Sequence, residues 1–113
     1  MNLKKMHARA NDAEALLKAV ANKHRLMVLC NLLGGERTVT ALQEAVGLSQ
    51  SALSQHLARL RDDDLVATRR EAQTIHYSIA SPKVEKLIAL LYDMYCGVDV
   101  ERPPRGGEMG ASP

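Results

Sequence analysis

Residues 39–79 constrain the fold more than any other stretch of this chain. Val39–Val46 reads as a short helix, Gly47-Leu48-Ser49-Gln50 as a tight turn, and the Ser/Gln-rich run from Gln50 as a second helix. Two strands with period-2 alternation follow, Val66–Arg70 and Thr74–Ala80, joined around Glu71-Ala72-Gln73. Gly47 stands where a sharp turn needs a residue free of Cβ clash, and Ser49 is placed to cap the helix that follows. Thr38 and Thr40 are both N-cap candidates for the first helix, and Thr40 with Gln43 has capping-box spacing. Helix, turn, helix and hairpin in that order predict a mainly α winged helix-turn-helix, with about five helices and a two-stranded β-wing.

The flanking segments read as helices that need cover. Ala13, Leu16, Leu17, Val20 and Ala21 share one face of a first helix capped by Asn11 or Asp12, which leaves residues 1–11 as an N-terminal arm. Leu26, Leu29, Cys30 and Leu33 mark a second helix from about Lys23, closed by Gly34-Gly35. Asp64, just past the Ser/Gln-rich helix, falls where the chain needs a left-handed residue. Ser81-Pro82 opens a last helix whose apolar stripe runs through Val84, Leu87, Ile88, Leu91, Met94 and Tyr95. Apolar stripes at both ends of one short chain predict that the first and last helices pack together and against their copies in a twofold homodimer. The domain then spans residues 12–96, and residues 97–113, with little to bury, are expected to form a disordered tail.

Composition narrows the function classes. The 113 residues suffice for one domain, and with no Phe or Trp its core must be aliphatic, which argues against a base-stacking platform for single strands. No apolar run is long enough for a membrane span and no secretory h-region follows Met1-Asn2-Leu3-Lys4-Lys5, so a cytoplasmic protein without membrane contact is expected. There the two cysteines should rest as thiols. No nucleophile–base pair, paired carboxylate or phosphate loop has the spacing catalysis needs, so no enzyme, cofactor or resident metal is expected.

The polar face of the Gln50 helix carries the strongest functional signal. With Leu53, Leu57 and Leu60 toward the core, Ser51, Ser54, Gln55 and Arg59 point away at 100° per residue, flanked by Gln50 and His56. Short polar side chains on a helix can reach base edges in the major groove of double-stranded DNA, while Arg59 suits a phosphate. At the hairpin Arg69, Arg70, Gln73 and Thr74 could reach an adjacent minor groove. A Ser/Gln face alone would be only a solvated helix face; turn, cap, core spacing and hairpin together make it a DNA-reading one. The net charge of +2 is modest, and residues 51–77 balance four Arg against Asp62, Asp63, Asp64 and Glu71. Binding must therefore depend on how those charges are separated, with the Asp62–Asp64 run away from the duplex.

Three separated motifs resemble the ArsR/SmtB family of dimeric winged-helix repressors over about residues 12–96. They are Ala21-Asn22-Lys23-His24-Arg25-Leu26, Leu48-Ser49-Gln50-Ser51-Ala52-Leu53-Ser54-Gln55-His56-Leu57, and Leu65-Val66 with Arg70-Glu71-Ala72-Gln73-Thr74. The resemblance implies a homodimer that binds an inverted-repeat operator and releases it on sensing an inducer. The family's arsenic-type Cys-x-Cys pair has no counterpart in Thr40-Ala41-Leu42-Gln43-Glu44, and its zinc-type Asp/His site has no His within Pro82–Cys96.

What remains is Cys30 in Val28-Leu29-Cys30 and Cys96 after Tyr95. With the Arg70-Glu71-Ala72-Gln73 wing they resemble the branch of the family that senses reactive sulfur species, which implies release of DNA when the two thiols are joined by a disulfide or a longer sulfur chain. On spacing alone they read as one small core residue and one terminal thiol. Two other readings stay open: a metal- or metalloid-responsive repressor of the same fold, ligating through both thiols and a third donor such as His24, and a winged-helix protein-interaction module.

Overall fold

The computed structural model describes residues 1–97, and the expected tail from residue 98 onward lies outside the described residues. Among the described residues the order is α1 (Leu3–Val20), α2 (Lys23–Leu32), β1 (Arg37–Thr38), α3 (Val39–Val46), α4 (Gln50–Asp62), β2 (Val66–Glu71), β3 (Thr74–Ile79) and α5 (Pro82–Tyr92), extended by a π-helical turn, Asp93–Gly97. This is a winged helix-turn-helix. β2 and β3 form an antiparallel hairpin from Val66 opposite Ile79 to Glu71 opposite Thr74. β1 adds a third strand on the other side of β3, with Thr38 opposite His76. The expected wing had two strands; a two-residue strand is too short to show alternation and exists only because β3 offers it a free edge.

Side-chain caps fix the helix ends. Asn22 Oδ1 accepts from the backbone N–H groups of His24 and Arg25, at 2.9 and 3.0 Å, and starts α2. Ser81 Oγ accepts from Val84 N, ahead of Pro82, and starts α5 as expected. α1 departs from the expectation: it begins at Leu3 with Asn2 as its cap, not at Asn11 or Asp12. Leu3, Lys4, Lys5, Met6, Ala8, Arg9 and Ala10 are good helix formers that outweigh His7 and Asn11 once the helix is capped upstream, so the expected arm is its first half.

The core is aliphatic, with Val28, Leu29, Leu42, Leu53, Leu60, Val84 and Ile88 fully buried and Tyr77 as its aromatic member. α2 forms its spine, packing on α3, α4, β3 and α5. α1 touches this core near its C-terminus, where Ala19 and Val20 are buried and Leu16 is half-buried. Arg25 fastens that end, its Nε donating to the Ala19 carbonyl at 2.6 Å and its Nη2 to that of Lys18 at 3.3 Å. Of the two stripes expected to be covered, Leu17, Met94 and Tyr95 remain exposed, and outside those stripes so do Leu90 and Tyr92.

Among the described residues two non-glycine residues adopt the left-handed conformation, Asp64 at φ 60° and Ala72 at φ 57°. Asp64 confirms the expected turn after α4. Ala72 lies in the two-residue loop closing the wing, where a Cβ costs about 1–2 kcal/mol that glycine escapes. After allowing for the extra freedom glycine adds to the unfolded chain, Ala72→Gly is expected to raise stability by roughly 0.5–1 kcal/mol in urea unfolding. A loss of stability would mean that the loop does not hold this conformation.

Candidate nucleic-acid interface and thiol pair

The helix-turn-helix is built by three local devices. Thr38 Oγ1 accepts from Ala41 N at 3.1 Å and caps α3; Thr40, the alternative with capping-box spacing, lies inside the helix. Gly47 takes φ 78°, and its N–H closes on the Gln43 carbonyl at 2.9 Å, a left-handed stop that a side chain would strain. Ser49 Oγ accepts from Ala52 N at 3.2 Å and launches α4. Leu53, Leu57 and Leu60 are buried beneath it. Their burial fixes the rotation of α4, so that Gln50, Ser51, Ser54, Gln55 and Arg59 are exposed along its outer side.

His56 is half-buried on the flank of α4, its ring centroid 5.7 Å from that of His24. Burial, then the charges of Arg25 and His24, push its pKa down from the ordinary histidine value. Arg59 is tied by its Nε to Asp63 Oδ2 at 3.0 Å, so its charge is partly offset by a member of the acidic run that was expected to stand apart. The spacing of four residues on one helix explains that pair.

The wing separates its two arginines. Arg70 is exposed, with no ion pair among the described residues, and Gln73 and Thr74 are exposed at the tip. Arg69 instead makes a bidentate pair with Glu36, Nε to Oε2 at 3.0 Å and Nη2 to Oε1 at 2.9 Å. Glu36 was missed in the sequence. It lies in the turn before β1, and nothing local marks it as the partner of a residue in β2.

The two cysteines, distant in sequence, are brought near each other. Cys30 is half-buried on α2 against the core, and Cys96 is exposed in the π-helical turn after α5. Burial pushes the Cys30 thiol pKa up, and a thiolate at Cys96 pushes it further. Neither is in a disulfide. π-Helical turns are uncommon and concentrate at functional sites. Among the described residues no group of three or more His, Cys, Asp or Glu side chains is placed to hold a metal ion, and no helix is long and apolar enough to cross a membrane.

Residues 22–68 match the family described as bacterial regulatory protein, arsR family, a span running from the cap of α2 through the recognition helix into β2. The transcriptional activator HlyU of Vibrio cholerae is 52% identical over 96 residues, covering 85% of this chain and 89% of that protein. A solved structure described as reduced HlyU from Vibrio cholerae superposes with a TM-score of 0.78 at 50% identity, covering 82% of this chain and 98% of that one. The structure of the transcriptional repressor BigR from Xylella fastidiosa gives a TM-score of 0.81 at 38% identity, covering 85% and 98%. With recognition helix, wing and relatives in agreement, the chain belongs to the arsR family of bacterial regulatory proteins, as a DNA-binding winged helix-turn-helix transcription regulator and not an enzyme.

Proposed function

We propose that this protein is a homodimeric repressor of an inverted-repeat operator in the cytoplasm, released when reactive sulfur species join Cys30 to Cys96. The observation that carries the reading is the proximity of the two thiols: Cys96 on the π-helical turn after α5 stands close enough to Cys30 on the central helix for its charge to shift that thiol. Gln50, Ser51, Ser54 and Gln55 serve as base-edge readers. His56, Arg59, Arg70, Gln73 and Thr74 supply phosphate and minor-groove contacts, together with Arg69.

Exposure and acidity assign an order to the chemistry. Cys96 is accessible, whereas burial keeps more of Cys30 protonated at neutral pH and lowers its thiolate fraction. Cys96 thiolate attacks the terminal sulfur of a small persulfide, forming a Cys96 persulfide and expelling the donor's thiolate. Cys30 is persulfidated likewise. Its terminal sulfur then attacks the inner sulfur of the Cys96 persulfide and expels hydrosulfide, leaving a three-sulfur bridge. An added sulfur lengthens the reach beyond the roughly 7 Å between Cα atoms that a direct disulfide tolerates. That a relative has been described in a reduced state supports a thiol-based switch.

Mass spectrometry of reduced protein treated in parallel with persulfide, glutathione disulfide and peroxide tests the assignment. A Cys30–Cys96 bridge with extra sulfur, formed only with persulfide, is expected; tight stoichiometric binding of a thiophilic metal with DNA release would favour the metal-responsive reading instead. Limited alkylation near pH 7 should label the exposed Cys96 before Cys30, whose burial shields it and whose raised pKa holds back its thiolate. Preferential labelling of Cys30 would reverse the proposed order.

A further inference from the structure

The wing carries a charge cluster that DNA reading alone does not account for. Thr38, His76 and Arg69 lie side by side across the three strands. Glu36, two residues before Thr38, and Glu71, two after Arg69, extend the same row. Tyr77, on the other side of β3, is buried in the core, so the row faces outward. Within it Arg69 is held between two carboxylates, with Nη2 at 2.9 Å from Glu36 Oε1 and Nη1 at 3.5 Å from Glu71 Oε1. The His76 ring spans the same carboxylates, Nε2 at 3.5 Å from Glu71 and Nδ1 at 4.0 Å from Glu36.

The geometry has a consequence for anion binding. Glu36 occupies the Nε–Nη2 edge of the guanidinium, one of its two edges that offer a pair of parallel donors to a phosphate, and Glu71 stands by Nη1 on the other. A phosphate cannot take that edge while Glu36 holds it. The hydrogen bond to Arg69 keeps the Glu36 carboxyl below the usual carboxylate range, so it remains a charged competitor. Yet the pair is open to water, with side-chain exposures of 52% and 39%. Salt and water screen a pair so exposed, so that its bidentate geometry alone holds it against exchange for another anion.

We propose that Glu36 is an internal substitute for a DNA phosphate at Arg69: it holds the wing arginine in the free protein and surrenders it to the backbone on DNA binding. This rests on the reading of the wing as a DNA contact. The exchange costs affinity, and it discounts any DNA that cannot present a phosphate where Glu36 stood. Glu36 thus acts on specificity through Arg69, without touching DNA itself.

The test is a double-mutant cycle on duplex affinity. Fluorescence anisotropy with a mixed-sequence duplex of about 30 base pairs, long enough for two half-sites a helical turn apart, is measured at about 0.1 M salt. Glu36→Gln is expected to tighten binding roughly three- to tenfold, and in the Arg69→Gln background the same substitution is expected to change it less than about twofold. Equal tightening in both backgrounds would show simple repulsion between Glu36 and DNA and overturn the exchange; so would no tightening in the wild-type background. The Arg69 Nε–H resonance, which needs no substitution, should move when duplex is added to wild-type protein, and a stationary signal overturns the exchange too. Wild-type protein that binds no duplex even at about 0.02 M salt would overturn the DNA-binding role of the wing together with this proposal, whereas wild-type binding without the Arg69-dependent gain overturns the exchange alone.

Discussion

Treatment of the reduced protein with a persulfide donor is expected to weaken its operator affinity by roughly ten- to a hundredfold, the range that a coupling of about 1–3 kcal/mol produces. Cys30→Ser and Cys96→Ser should each abolish the response while leaving the affinity of the reduced form within about twofold. The expectation follows from where the bridge would pull. Cys30 belongs to α2, which packs on both helices of the DNA-reading pair and on α5. Cys96 closes the turn at the end of α5. A covalent tie between them leaves the recognition surface untouched and loads the spine that orients it. Interiors packed to crystal-like density shift as units under such a load, and a dimer reading two half-sites about 34 Å apart tolerates little change in spacing. Gel-shift or anisotropy titrations before and after donor treatment read the effect directly. Undiminished release in either serine variant would sink the dithiol mechanism, and an unbridged protein that still releases would point to another inducer.

Replacing Leu17 and Leu90 together by Glu is expected to yield a monomer of unchanged helix content whose operator affinity falls by roughly 10²–10⁴. Both side chains are more than half exposed in the single chain, at 55% and 54%. Neither is part of the core that folds the protomer, so the substitutions should spare the fold. They lie on α1 and α5, where Leu3 and Met6 of α1 and Tyr92 of α5 are exposed as well, although Val84 and Ile88 on the inner side of α5 are buried. Apolar faces of this extent on a small chain mark an interaction surface. The loss in affinity comes from avidity: a tethered second recognition helix binds its half-site at a high effective concentration, and a monomer has none. Sedimentation velocity measures the first half of the prediction and operator titration the second. A variant that stays dimeric would remove α1 and α5 from the proposed interface.

Much of the fold was legible in residue order because its signals are short-ranged. The bounds of α3 and α4 follow from Thr38, Gly47 and Ser49, each acting within four residues of itself. Ser81-Pro82 starts α5, and Asp64 takes the left-handed turn, for the same reason. The polar side of α4 followed from the period of Leu53, Leu57 and Leu60. Where the reading went astray, the local signal was ambiguous. Thr40 matched a capping box as well as Thr38 matched a simple cap, and Asn11 and Asp12 offered a cap in the middle of an apolar spacing, Leu3, Met6, Ala10, Ala13 and Leu17, that runs unbroken through α1.

Sequence alone determined the helix-turn-helix, the hairpin and the aliphatic core, since periodicity, caps and turns are properties of a few neighbouring residues. Tertiary structure alone decided which distant side chains meet. Glu36 reaches Arg69 only because β1 and β2 flank β3, His56 meets His24 only because α4 packs on α2, and Cys96 comes near Cys30 only because α5 returns along the central helix. Such meetings depend on the path of the whole chain. A charged or sulfur-bearing residue carries no local mark of its eventual partner, because the energy of the pair exists only once the fold has closed the distance.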